Sequence, residues 1–231
     1  SPQLDEKMAK HRVLVCDPLP VDGLGLGDGF EVVYNPRVTR EELLQKLQDF
    51  EVLVVRSRTK VDAEAIANGK RLRLIARPGT GVDNIDLAAA NARGIEVVNT
   101  PESLVEAVSE HIFAMMLALA RKLPAADSST RGGTWEKERF IGIELRGKSL
   151  GIVGLGRIGR RVGELAFAFG MSVLGYDVVE IEKEVVERMG GRIVDLDTLF
   201  STSDFVTLHV PLLPETRHMV GVRRLSLMKK T

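Results

Sequence analysis

Short apolar runs alternate with amphipathic stretches along most of the chain. In the first hundred residues the apolar runs are residues 13–17, 30–34, 52–55, 72–76 and 95–98. Apolar residues fall on both faces of these runs, which is typical of a parallel sheet that helices cover on both sides. The stretches between them, such as residues 61–67 and 86–92, have helical spacing. This order predicts a doubly wound α/β domain over about residues 11–100.

Polar and glycine residues mark the expected helix ends in this half. Thr39 precedes Glu41 and Glu42 and predicts the N-cap of a helix that runs to about Leu47. Gly94 follows the last periodic residue of the 86–92 stretch. Because glycine readily adopts the left-handed conformation, it predicts the C-terminal end of that helix.

A longer helix is predicted from about Glu102 to Arg121. Residues 112–120 are apolar nearly all round, so we expect them to be buried, in part against a second subunit. Residues 124–148 are polar and interrupted by proline and glycine, and we interpret them as helix ends and loop. A second α/β unit opens at Ser149.

Composition narrows the class of protein. The 231 residues favour two domains, and 44% of them are hydrophobic, which is enough for a sizeable core. Lys plus Arg and Asp plus Glu number 32 each, so no net charge draws the chain to nucleic acid or to an anionic membrane. No apolar run reaches the roughly 18 residues of a membrane span. Residues 1–10 lack the apolar core of a signal peptide and are interpreted as a loose tail.

The cysteine and histidine residues give no sign of a disulfide or a metal site. Cys16 is the single cysteine, which fits a reducing cytoplasm, and we interpret it as a core residue. The four histidines lack metal-ligand spacing, so no metal is expected. His111 is expected to be buried in its helix, and His11 and His218 to lie at the surface.

The strongest chemical signal is Gly154-x-Gly156-x-x-Gly159. An apolar run precedes it, and a helix-like stretch and another apolar run follow it. In this order the glycines allow a tight turn, a close approach of the backbone to a pyrophosphate, and close packing of the helix on the sheet. The free N–H groups at the helix start then bind the phosphates. The alternative is a glycine-rich turn that binds nothing.

An acidic residue and a later strand end complete this motif. Asp177 closes the strand that lies about twenty residues beyond the glycines. Its carboxylate can accept hydrogen bonds from both ribose hydroxyls and would repel a 2′-phosphate, so NAD is the predicted cofactor rather than NADP. His209, Val210 and Pro211 end the apolar run 204–211, and ligands of open α/β sheets lie at such carboxyl ends.

Several motifs together resemble those of the D-2-hydroxyacid dehydrogenases. They are Phe140-x-Gly142-x-Glu144-Leu145-x-Gly147-Lys148, residues 151–159, Asn99-Thr100-Pro101, residues 108–111, and His209-Val210-Pro211-Leu212 with Thr216. Two further segments, residues 54–61 and 79–84, are similar to the phosphoglycerate dehydrogenase branch. The resemblance covers about residues 12–231.

The resemblance implies a fold, an assembly and an activity. A flavodoxin-like substrate domain over residues 1–101 would precede a Rossmann NAD-binding domain over residues 102–231, and a homodimer would form through residues 102–121. The implied protein is a cytoplasmic, NAD-dependent oxidoreductase of 2-hydroxy acids, most simply converting 3-phosphoglycerate to 3-phosphohydroxypyruvate in serine biosynthesis. A glyoxylate- or lactate-type dehydrogenase remains open. So does a non-enzymatic NAD-sensing protein, like the co-repressors built on this fold.

The resemblance also assigns site residues. Those assigned to NAD are Gly154, Gly156, Arg157, Ile158, Gly159, Asp177, His209, Val210, Pro211, Thr216 and Thr80. Those assigned to the small-molecule substrate are Arg56, Ser57, Arg77, Gly79, Thr80 and Gly81, the last three through backbone N–H groups. Val210 stands where the branch often has threonine, a departure of little consequence for a backbone contact.

The end of the sequence bears on catalysis. The chain stops at Thr231, before the segments that in the family carry a substrate-binding arginine, an acidic residue and a proton-transferring histidine. No catalytic residue is therefore assigned, and His209 is interpreted as a cofactor contact. The resemblance implies that the Rossmann domain is incomplete at its C-terminus and that the 231 residues alone turn over no hydroxy acid.

Overall fold

In a computed structural model the described residues are 10–23 and 25–230, so nearly all of the predicted N-terminal tail lies outside them. The chain divides into two compact units, Ser1–Ser103 and Leu104–Thr231. Each unit is built on a parallel sheet, one of five strands and one of four. The α/β class that the apolar pattern predicts is confirmed.

The first unit has a sheet whose strand order is β2-β1-β3-β4-β5. Its strands are β1 His11–Val15, β2 Phe30–Tyr34, β3 Val52–Val54, β4 Leu74–Arg77 and β5 Glu96–Asn99. Its helices are α1 Arg40–Lys46, α2 Ala63–Asn68 and α3 Leu87–Ala92, with short 3-10 turns at Val21–Gly23 and Leu47–Asp49. Every predicted run of this half forms a strand or helix within about two residues of its expected position.

The central strands of this sheet are buried on both faces. Leu14 and Leu53 point into the larger core with the helices, whereas Val13, Val15 and Val54 form a smaller cluster on the other face. All strand pairs are parallel. This burial on both sides is the reason that the runs are apolar throughout rather than alternating.

The cap predicted at Thr39 is confirmed. The Thr39 hydroxyl accepts a hydrogen bond from the Glu42 N–H, and the Glu42 carboxylate accepts one from the Thr39 N–H, which together form a capping box. At the end of α3, Gly94 has φ +64°, the left-handed conformation expected of a residue that closes a helix.

The second unit has a sheet whose strand order is β8-β7-β6-β9. Its strands are β6 Ser149–Val153, β7 Ser172–Tyr176, β8 Gly191–Ile193 and β9 Phe205–Leu208. Its helices are α4 Val105–Ala120, α5 Leu123–Arg131, α6 Arg157–Ala168, α7 Lys183–Arg188, α8 Leu196–Thr202 and α9 Val222–Leu227. Helices α4 and α6 pack together on one face of the sheet, and α8 and α9 pack on the other.

The apolar stretch in α4 is buried on one side only. Ile112, Phe113 and Met116 enter the core of the second unit, but Met115 and Leu119 are 49% and 74% exposed. His111 is exposed as well, so its expected burial was wrong. The surrounding fold covers a single face of this helix because α6 is its main neighbour.

Two helices differ from the sequence-based expectation. Residues 124–148 were expected to hold only helix ends and loop, but α5 runs over nine residues and a 3-10 turn follows at Lys137–Phe140. Pro124 lies in the first turn of α5, where proline is tolerated because N–H groups there have no partner within the helix. Helix α9 was not predicted, since it is six residues long and has no side-chain cap.

Candidate nucleotide and substrate sites

The glycine-rich turn joins β6 to α6 at the carboxyl end of the sheet. Gly154 has φ +94°, which disfavours any residue with a side chain. A Cβ on Gly159 would overlap the Gly154 carbonyl oxygen, so this glycine lets α6 start tightly against the turn. By contrast, a Cβ on Gly156 would meet no heavy atom within 4 Å, so its lack of a side chain leaves open space. Gly154 and Gly159 therefore shape the turn, whereas Gly156 leaves its backbone open to a ligand.

The first turn of α6 is suited to an anion. The helix begins at Arg157, three residues before its helical periodicity becomes clear in the sequence, and its N-cap Gly156 offers no side-chain acceptor. Gly156 and Arg157 are exposed, and Ile158 is half-buried. The positive end of a twelve-residue helix, which has no N-cap side chain, therefore lies beside the open space at Gly156. This arrangement fits the pyrophosphate of a dinucleotide.

Asp177 lies directly after β7 and is bonded to the glycine turn. One of its oxygens, Oδ2, accepts a hydrogen bond of 2.6 Å from the Leu155 N–H, and Oδ1 accepts one of 2.7 Å from the Val178 N–H. The Leu155 carbonyl accepts a bond of 2.8 Å from Arg160 Nε. Asp177 Oδ1 also accepts a longer bond of 3.3 Å from the Val179 N–H. Asp177 is half-buried, and Oδ2 keeps a lone pair with which a ribose hydroxyl can still bond.

The end of β9 lies against the same turn. The His209 N–H donates to the Val153 carbonyl at 2.8 Å, and a Cβ on Gly154 would come within 3.0 Å of the Val210 nitrogen. His209 Nε2 lies 3.0 Å from Thr207 Oγ1, and burial lowers the pKa of the ring. The structure thus brings the glycine turn, Asp177 and residues 209–210 together, as the motif predicts.

Thr216 braces the loop that follows β9. Its hydroxyl donates to the Pro211 carbonyl at 2.5 Å and accepts from the Leu213 N–H at 2.8 Å. These bonds close a turn over residues 211–216. The Thr216 side chain therefore shapes the loop in which Pro211 lies, and any contact with NAD would come in addition to that role.

In the first unit the residues assigned to the substrate follow β3 and β4. Arg56 and Ser57 are exposed in the loop after β3. Arg77 ends β4, and its guanidinium occupies the space that a Cβ on Gly79 would take. The Nε of Arg77 is buried and has no hydrogen-bond partner, which is costly unless an anion supplies one.

The backbone N–H groups of residues 79–81 are not equally able to bind a substrate carboxylate. The Gly79 N–H already donates to Thr100 Oγ1 at 2.8 Å, so it is engaged within the fold. The Thr80 carbonyl accepts from Asn99 Nδ2 at 2.7 Å, and its hydroxyl makes a long bond of 3.4 Å to the Pro101 carbonyl. Gly81 is exposed. The N–H groups of Thr80 and Gly81 are thus better candidates for a carboxylate than that of Gly79.

Sequence reasoning missed Asp17. This carboxylate is 1% exposed and accepts hydrogen bonds from Arg56, Arg58 and Thr59. The available signal was an acidic residue directly after an apolar strand, the same signal that identified Asp177. Without a glycine motif beside it, Asp17 was treated as the end of the strand.

The described part of the chain offers neither a cluster of metal ligands nor a membrane-spanning helix. No group of three or more His, Cys, Asp or Glu side chains among residues 10–23 and 25–230 could hold a metal ion. No helix within those residues is long and apolar enough to cross a membrane.

Comparisons with known proteins agree with this geometry. The NAD binding domain of the D-isomer specific 2-hydroxyacid dehydrogenases matches residues 113–231. D-3-phosphoglycerate dehydrogenase of Methanocaldococcus jannaschii is 49% identical over 221 residues, which are 95% of this chain and 42% of that protein. Hydroxypyruvate reductase of Thermotoga maritima is 43% identical over 224 residues, 96% of this chain and 72% of that protein.

A solved structure supports the same family. D-lactate dehydrogenase from Aquifex aeolicus, complexed with NAD and lactic acid, superposes with a TM-score of 0.81 at 31% identity, covering 95% of this chain and 66% of that one. The chain spans less than half the length of several D-3-phosphoglycerate dehydrogenases that it matches, 40% to 42%. Its cofactor is NAD. The chain belongs to the D-isomer specific 2-hydroxyacid dehydrogenase family.

Proposed function

We propose that this protein is an NAD-dependent dehydrogenase of a 2-hydroxy acid and that its substrate is 3-phosphoglycerate. NAD accepts the hydride from the substrate, and the protein holds and orients the two molecules. The observation that carries the proposal is the uncapped start of α6 beside the open space at Gly156, with Asp177 bonded to the same turn. The D-3-phosphoglycerate dehydrogenase relatives support the choice of substrate.

Each cofactor residue has a proposed role. The backbone of Gly156, Arg157 and Ile158 would bind the pyrophosphate, and Asp177 would bind the ribose. The 209–211 segment would flank the adenosine half. The placement of these residues at the carboxyl ends of neighbouring strands β6, β7 and β9 supports these roles.

The proposed substrate has two anionic groups, a carboxylate and a phosphate, and the first unit offers cations and hydrogen-bond donors for them. Arg77, whose buried Nε lacks a partner, would bind the carboxylate or the phosphate, and Arg56 with Ser57 would bind the other group. The N–H groups of Thr80 and Gly81 would add to the carboxylate site. The two arginines support a phosphorylated substrate over glyoxylate or lactate, which carry a single negative charge.

A second candidate substrate is hydroxypyruvate, because a hydroxypyruvate reductase is 43% identical over most of its length. The test is a substrate panel assayed with NADH and the complete gene product: 3-phosphohydroxypyruvate, hydroxypyruvate, glyoxylate and pyruvate. We expect kcat/KM to be at least about tenfold higher for the phosphorylated acid. A preference for hydroxypyruvate would support the second candidate. No turnover of any acid, together with capture of a peptide ligand, would support the co-repressor-like alternative.

We also propose a homodimer formed through α4. Met115 and Leu119 leave an apolar strip exposed on this helix, and Leu123, Trp135 and Ile141 are exposed in the following segments. Such a strip is typical of a subunit interface. Sedimentation of the complete gene product as a monomer at micromolar concentration would contradict the dimer. A cytoplasmic location is proposed with it, supported by the single, buried Cys16.

A further inference from the structure

Strands β1 and β3 are neighbouring inner strands of the first sheet, and the loops that follow them lie at its carboxyl edge. With strand order β2-β1-β3-β4-β5, the chain moves outward in one direction from β1 and in the other direction from β3. In open α/β sheets the crevice at the carboxyl ends of such a strand pair is the usual place for a ligand. Asp17 follows β1, and Arg56 to Thr59 follow β3, so both loops border this crevice.

The Asp17 carboxylate accepts hydrogen bonds from donor groups of the loop that follows β3. Oδ2 accepts a bond of 2.6 Å from the Arg56 N–H, and Oδ1 accepts bonds of 2.9 Å from Arg58 Nε and 3.1 Å from Thr59 Oγ1. A longer bond of 3.4 Å comes from the Thr59 N–H. With 1% of Asp17 exposed, all of its hydrogen-bonding capacity is directed to this loop rather than to solvent or a ligand.

Asn84 donates hydrogen bonds to acceptor groups of the same loop. Its Nδ2 donates to the Arg56 carbonyl and to the Thr59 carbonyl, each at 2.7 Å. Asp17 therefore fixes the N–H groups at the two ends of the four-residue loop, and Asn84 fixes the carbonyls of the same two residues. With the backbone held in this way, the Arg56 and Ser57 side chains are exposed.

We propose that Asp17 and Asn84 are positioning residues that fix the Arg56–Thr59 loop so that Arg56 and Ser57 meet the anionic substrate in one geometry. This inference rests on the proposed function. The ion pair with Arg58 explains how a carboxylate is retained at this depth, since a buried charge without a partner is strongly disfavoured.

Steady-state kinetics of the complete gene product test the functional half of the proposal. Asp17→Asn keeps the volume of the side chain but turns one acceptor oxygen into a donor that faces other donors. We expect the KM for 3-phosphohydroxypyruvate to rise at least about tenfold, with a smaller change in kcat and an NADH dissociation constant within about twofold of the wild-type value. An unchanged KM would overturn the proposal.

Glu51→Gln is the matched control. Glu51 is also a buried carboxylate of the first unit, but it lies at the amino end of the sheet, where it accepts from the Arg12 N–H at 2.8 Å and pairs with Arg71. We expect this variant to lower stability without raising KM. An equal rise of KM in both variants would mean that general destabilisation, and not loop positioning, is responsible.

Hydrogen exchange of the same gene product tests whether Asp17 holds the loop, and it requires no turnover. In Asp17→Asn the Arg56 amide should exchange at least about tenfold faster, whereas the amides of β1 and β3 should keep their wild-type rates. Unchanged protection of Arg56 would contradict the role of Asp17. If the wild-type protein reduces none of the keto acids, the proposed function fails, and the exchange result still decides whether Asp17 holds the loop.

Discussion

Asp17 and Asp177 lie in similar places in the two units but in different surroundings. Each follows a strand of a parallel sheet and accepts a hydrogen bond of 2.6 Å from a backbone N–H in the loop that follows the neighbouring strand. Asp17 is 1% exposed and accepts four hydrogen bonds from one loop, two from backbone N–H groups, one from a guanidinium and one from a hydroxyl. Asp177 is half-buried and makes bonds to backbone N–H groups alone.

The difference shows how burial divides the roles of two equivalent residues. A carboxylate closed off from solvent stabilises its loop and can bind no ligand. A carboxylate that keeps an exposed side stabilises its loop and still offers lone pairs to a ligand hydroxyl. On this account Asp17 supports a site indirectly, whereas Asp177 belongs to one.

The largest expected effect is on stability. Asp17→Ala should lower the free energy of unfolding by about 3 kcal/mol, because it leaves buried donors without an acceptor. Asp177→Ala should cost less, about 1 kcal/mol, because two of its three donors belong to Val178 and Val179, which are exposed to water. Urea unfolding followed by circular dichroism measures both, and the fluorescence of Trp135 reports on the second unit alone. Equal losses in the two variants would remove the distinction.

The next effect concerns the choice of nucleotide. Asp177→Ala should weaken NADH binding by about 10- to 100-fold, the equivalent of one or two hydrogen bonds, and should bring the affinities for NADH and NADPH closer together. Fluorescence titration of the complete gene product with both nucleotides checks this. Asp195→Ala, which removes the N-cap of α8 in the same unit, is the control and should keep the wild-type preference. Tighter binding of NADPH by the wild-type protein would refute the role given to Asp177.

The smallest effect is a pH dependence at the end of β9. Burial lowers the pKa of His209, so the folded state favours the neutral ring. The stability that the neutral His209 ring gives to the folded state is therefore fully present above the unfolded-state pKa of about 6.5. It is lost as the pH falls through the lower folded-state pKa. Between about pH 6.5 and 5 the urea midpoint should fall more in the wild type than in His209→Asn. His218→Asn, at an exposed site, should behave like the wild type, and identical slopes in all three would show that His209 contributes nothing.

Much of the fold could be predicted because its signals are local. Both sheets bury their strands on two faces, so the strands are continuous apolar runs, and the capping box at Thr39 marks the start of α1 within a few residues of sequence. Helix α5 was missed because a proline in its first turn was interpreted as a break. Helix α9 was missed because its six residues carry neither a cap nor a clear periodicity.

The two candidate sites were predictable to different degrees. The nucleotide site has a sequence signature, because only glycine fits the turn at Gly154 and the contact at Gly159. The role of Asp17 has no such signature. It depends on which loop lies beside β1, and strand order within a sheet is a long-range property that periodicity does not report.

The most direct test of the account is Gly156→Ala in the complete gene product. Gly156 has φ −69°, which alanine adopts freely, and the added Cβ would meet no protein atom within 4 Å, so the melting temperature should stay within about 2 °C of the wild-type value. The methyl group would instead occupy the space proposed for the pyrophosphate. NADH titration should then show at least about a tenfold loss of affinity. Wild-type affinity in a fully folded Gly156→Ala protein would contradict the claim that this turn binds the dinucleotide.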